Sequence, residues 1–214
     1  MARAGSFIRY DGADGTGHVG WAFDLDADTT DCGAVEDPLG LPSCDPADMG
    51  FWNLETPAPV ATMLQHAPPY NALKYFDLDP THVDVELAQT TVAWVSQQWY
   101  VLIGRNCMDD VYDVLRAFGI PNLPPPVLHW FPNDWFGALE GILEPMTFEW
   151  RPQPGVPAAQ PAMAATKPAI VPKAPAWRVE GTPEWQDLQA QMAAQSGYPS
   201  IRRRAERYAR LQGE

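Results

Sequence analysis

Apolar and polar residues along this chain fall into short runs of two kinds. Residues 7–11 read as a strand, closed by the turn ADGTG. HVGWAFDL (18–25) alternates loosely and is rich in Val, Trp and Phe, so it reads as a second strand. CGAVED, GFWNLET (50–56) and LKYFDLD are further strand candidates, separated by polar or Pro-rich loops. Residues 58–66 look helical until APPYN breaks them. From Asp84 to Gln97 the apolar Val85, Ala88, Val92 and Val95 share one helical face, although a strand followed by a helix fits the same run. The clearest element is CMDDVYDVLRAFG, with Val111, Val114, Leu115 and Phe118 at helical spacing. Asp109 and Asp110 in its first turn suit the positive end of the helix dipole, and Gly119 and Pro121 stop it. A rigid aromatic stretch, NLPPPVLHWFPNDWF, leads to a short helix expected over 134–143.

Composition divides the chain in three: a body over 1–150, a Pro/Ala-rich linker over 151–176, and a tail over 177–214. In the tail, Thr182-Pro183-Glu184 reads as an N-cap followed by Pro at the first helical position. A second, basic helix follows, with Ile201, Ala205, Tyr208 and Leu211 on one stripe. The body carries a net charge of −17 and residues 151–214 carry +4. An acidic body repels phosphates and argues against nucleic acid. It suits a cationic substrate or simply a soluble surface. No apolar run of 18 residues exists, so no membrane span is expected. The N-terminus lacks a Sec-type apolar segment, which points to the cytoplasm and leaves signal-less export open.

Three cysteines are too few for a disulfide framework. Cys32 and Cys44 read as ordinary free thiols; neither a CxxC nor an HxxxH spacing supports zinc, and no metal or cofactor is expected. Cys107 differs because it opens a helix. Backbone N–H groups and the dipole there lower a thiol's pKa, and the same groups can hold an oxyanion. A Cys nucleophile needs a base within hydrogen-bond reach. His18, at a strand start after GTG, is the first candidate, with His66, His82 and His129 as rivals. His129 and Tyr100 could line a cleft beside the helix.

H-V-G-W-A-F at 18–23 resembles the His strand of the NlpC/P60 papain-like superfamily, and R-N-C-M-D-D-V-Y-D-V-L at 105–115 resembles its Cys helix. The His precedes the Cys, an order similar to that of the circularly permuted branch, which includes lecithin:retinol acyltransferase-like proteins and bacterial permuted amidases. The resemblance covers roughly residues 7–135; the acidic loops and the Trp/Pro stretch fall outside its pattern. It implies an α+β fold, with an antiparallel sheet packed against the Cys-bearing helix. It also implies a thiol-dependent hydrolase, whether amidase, peptidase or acyltransferase, acting on an amide or ester carbonyl. Cys107 would be the nucleophile, His18 the base, and a residue on the following strand the group that orients His18. Glu36 is the first choice for that third place and Asn53 the second.

A different class of function fits the same fold. A non-catalytic binding or adaptor module would use the tether and the basic terminal helices to hold a partner. The tail could contact its own domain, another copy or a separate acidic partner. The enzyme reading expects a peptide-like or amide substrate.

Overall fold

The computed structural model describes residues 1–102, 104–152 and 170–195, with side chains up to 190. Most of the expected linker and the whole of the expected basic helix lie outside these residues. Its centre is a six-stranded antiparallel sheet in the order β5-β3-β2-β1-β6-β8. The strands are β1 (Ala2–Arg9), β2 (His18–Asp24), β3 (Thr30–Glu36), β5 (Gly50–Thr56), β6 (Ala72–Leu78) and β8 (Ile142–Pro145). A two-stranded ribbon pairs β4 (Ser43–Cys44) with β7 (Tyr100–Val101). The helices are a single turn α1 (Gly12–Gly15), then α2 (Pro59–Gln65), α3 (Val85–Val95), α4 (Cys107–Phe118), α5 (Pro132–Ala138) and α6 (Pro183–Gln195). No helix among the described residues is long and apolar enough to cross a membrane.

Alternation along the strands sorts side chains onto two faces. Ile8, Val19, Trp21, Phe23 and Val35 join Met108, Val111, Val114, Leu115 and Phe118 of α4 in the larger core. Phe7, Ala22, Cys32 and Ala34 face a smaller core with Met63, Tyr70 and Trp150. The sheet is therefore covered on both faces, which explains why β1, β2 and β3 are buried almost throughout. The expectation of an antiparallel sheet with the Cys-bearing helix against it holds at this level.

Two expected elements are corrected. The first strand runs from Ala2 to Arg9 rather than over 7–11. Its opening ARAGS carries small residues with little strand propensity; burial between β2 and β6 overrides that preference. The helix expected over 134–143 is Pro132–Ala138, and Ile142–Pro145 is an edge strand on β6. Pro132 suits the first helical turn, where its missing N–H costs nothing. The run at 84–97 forms the helix Val85–Val95, with Asp84 capping it by accepting from the Leu87 amide.

Candidate active site

Register brings the site's charged groups together. Arg9 pairs with His18 across β1 and β2. The β2–β3 ladder ends at Trp21 opposite Gly33. Continuing that register three residues along each strand puts His18 opposite Glu36. The distances agree: His18 Nε2 lies 3.7 Å from Glu36 Oε1. Arg9 Nη2 donates to the same oxygen at 3.2 Å.

Cys107 reaches this corner from the other face. Asn106 caps α4 by accepting from the Met108 amide at 2.9 Å, and Asp109 returns a bond to the Asn106 amide at 3.2 Å. This capping box fixes where the helix starts and therefore where the thiol stands. The Val19 amide, beyond the end of the β2–β3 ladder, points at the Cys107 sulphur.

Cys107, His18, Glu36 and Arg9 all line one cavity of about 570 Å³. Its rim is formed by Ala13, Asp14, Thr16 and Gly17 on one side, and by Tyr100, Leu102, Trp130 and Phe131 elsewhere. Ala13 and Asp14 hold left-handed backbone at φ 47° and 55°, uncommon for residues with a side chain. The turn is pinned from outside: Asn133 Nδ2 donates to the carbonyls of Gly15 and Tyr10 at 3.0 and 3.1 Å. Gly17 has φ +96°, and a Cβ there would stand 2.2 Å from Asn133 Oδ1, so only glycine fits.

Burial sets the protonation states. It lowers the His18 pKa to about 4, against the opposing pull of Glu36 and with help from Arg9 and His66. It pushes the Cys107 thiol up to about 12, although the Val19 and Met108 amides favour the thiolate. The expectation that the helix start lowers this pKa is overturned: removal from water outweighs the amides. At rest the thiol and the imidazole that line this cavity are both neutral. Burial also raises the Glu36 carboxyl, but His18, His66 and Arg9 together bring it below its ordinary value, so Glu36 is ionised at neutral pH.

The other sequence candidates fall elsewhere. Asn53 sits opposite Gly33 and donates to Asp31 Oδ2 at 3.2 Å, on the face away from Glu36. His82 lies beside Gly119, at the far end of α4 from Cys107. Cys32 and Cys44 are free buried thiols, and burial raises both. No group of His, Cys, Asp or Glu among the described residues could hold a metal ion. His66 meets the same carboxylate as His18: its Nε2 lies 2.6 Å from Glu36 Oε1. Arg9 and Tyr70 were not legible as site residues. Tyr70 lies within 6.0 Å of the His18 ring and 6.2 Å of the His66 ring, measured between centroids, with the Arg9 guanidinium over its own ring at 5.0 Å.

Behind α4 stands a second charged cluster. Asp113 accepts from Arg105 at 2.9 Å, from Arg178 Nε at 2.8 Å and from Trp177 Nε1 at 2.8 Å. Three buried aspartates, Asp109, Asp110 and Asp113, thus share Arg105 and Arg178. With one acid in excess, burial raises Asp110 to about 7, while the two guanidiniums keep Asp113 ionised.

No protein family model, curated protein or solved structure matches this chain.

Proposed function

We propose that this protein is a thiol-dependent hydrolase or acyltransferase acting on an amide or ester carbonyl, built on a permuted NlpC/P60-like, papain-like arrangement. The observation that carries the reading is one cavity lined by Cys107 at a helix start, His18 at a strand start and Glu36 beside it. His18 turns Nε2 toward Glu36, which leaves Nδ1 as the nitrogen for the thiol proton. Because both groups rest neutral, the proton moves as the substrate is attacked. The Cys107 sulphur bonds the carbonyl carbon and its proton passes to His18 Nδ1. Collapse of the tetrahedral adduct breaks the bond to the leaving amine or alcohol, which takes that proton back. Water, or an acceptor alcohol or amine, then releases the acyl group by the same route in reverse order.

Glu36 faces the imidazolium formed on the way and offsets its charge. The Asn106 side chain occupies the Met108 and Asp109 amides, so the Cys107 amide is the first-turn donor left for the oxyanion. The rim combines apolar Leu102, Trp130 and Phe131 with acidic Asp14 and Asp37, which favours a substrate with an apolar part and a positive charge.

Incubation with p-nitrophenyl acetate tests the proposal. The expected result is a burst of nitrophenolate and one acetyl group on the Cys107 peptide, both absent in Cys107→Ala. Equal release by Cys107→Ala, with no acetylated Cys107, would contradict it.

A further inference from the structure

One carboxylate oxygen at this site is approached by four side-chain nitrogens from four elements. Glu36 Oε1 lies 2.6 Å from His66 Nε2, 3.2 Å from Arg9 Nη2, 3.4 Å from Trp52 Nε1 and 3.7 Å from His18 Nε2. The shortest contact belongs to His66 and not to His18. A bond that short between an imidazole nitrogen and an ionised carboxylate requires the proton on Nε2, so His66 donates. His66 stands at the C-terminal end of α2, its backbone N–H bonded to the Thr62 carbonyl. Its ring stacks on Trp52, with centroids 4.7 Å apart and planes at 20°. The ring is therefore placed by α2 on one side and β5 on the other. Glu36, by contrast, is the last residue of β3 and has no backbone ladder to β2 at its level. What fixes its side chain is the set of donors on Oε1, His66 foremost.

His18 Nε2 is buried and makes no hydrogen bond among the described residues. The oxygen that His66 holds lies 3.7 Å from it. We propose that His66 is a positioning residue for the thiol site: it fastens Glu36 Oε1 opposite His18 and acts on the chemistry only through that carboxylate. This rests on the reading of Cys107 and His18 as nucleophile and base. Without His66, Glu36 keeps only the longer contacts from Arg9 and Trp52 and is held less firmly opposite His18 when the imidazolium forms.

The test follows alkylation of Cys107 by iodoacetamide, read on the Cys107 peptide by mass spectrometry in the full chain. His66→Phe keeps the ring stack without the donor, and His66→Met keeps bulk without the donor. His66→Gln keeps an N–H donor at similar reach. Both donorless variants should lose about tenfold in rate, and His66→Gln should stay within about twofold of the original protein. In a Glu36→Gln background, the same two changes should cost nothing further, because the group they act through is already gone. Equal losses in His66→Gln and the donorless variants, no loss in either donorless variant, or full additivity with Glu36→Gln would overturn the inference. A rate in the original protein no faster than in His18→Gln is a separate outcome. It removes the nucleophile–base reading itself, and the positioning role with it.

Discussion

Glu36 stands across from His18 at the open end of the β2–β3 ladder, its Oε1 3.7 Å from the imidazole Nε2. The pair sits beyond Trp21 and Gly33, the last partners of the β2–β3 ladder, near the Val19 amide that favours the Cys107 thiolate. Glu36→Gln keeps the shape and removes the charge. Thiol reactivity of Cys107 should fall by about ten- to a hundredfold, in the range typical of groups that support general-base transfer. Rates of alkylation by iodoacetamide at pH 7, with a check of fold by circular dichroism, measure this.

The pH profile follows from His18. Its pKa of about 4 makes it neutral and able to accept a proton across the ordinary range. Reactivity of Cys107 should therefore hold level above about pH 5 and disappear as pH falls through about 4. A rise only toward pH 12, following the thiolate of a thiol raised to about 12, would mean that His18 takes no part.

Stability carries the same signature. Unfolded, His18 titrates near its ordinary value of 6.5; folded, near 4. The unfolded chain binds the extra proton between these values, so acidification through that window favours unfolding. Between pH 7 and pH 4.5 this single group should remove about 2 kcal/mol. Urea unfolding at the two pH values should show a correspondingly smaller loss in His18→Gln than in the original protein.

Arg178 offers a test of how the tail segment supports the Cys helix. It places Nε 2.8 Å from Asp113 Oδ1, a side chain with no exposure, and Trp177 bonds the same oxygen. Arg178→Ala leaves buried aspartates facing a single guanidinium, that of Arg105. Breaking a buried pair this way costs about 3–5 kcal/mol. Adding Asp113→Asn should recover part of that loss, measured by urea unfolding.

Much of this was readable in the residues, and what was not has physical reasons. The Cys107 helix was legible because its cap, acidic first turn, apolar stripe and Gly119 stop all agree. Glu36 was reached only through the family resemblance, which places an orienting residue on the strand after the His strand and left Asn53 as the alternative; register then sets Glu36 near His18 and Asn53 on the other face. His66 could be named only as a rival base, since nothing local says that a helix end will meet a carboxylate thirty positions earlier. Arg9 and Tyr70 were hidden for the same reason: their roles come from cross-sheet register and packing. The protonation state of Cys107 was misread because helix-start amides are visible in sequence while burial is not. The small residues at the start of β1 concealed the first half of a central strand, and the expected helix over 134–143 ran into the first two residues of the edge strand β8, whose four residues carry too little pattern to mark a strand.

The most direct measurement is the rate of iodoacetamide labelling at Cys107, compared between the original protein and His18→Gln at pH 7. The account predicts labelling of Cys107 at least about a hundredfold faster with His18 present, and no such dependence at the buried Cys32. Equal rates with and without His18 would contradict it.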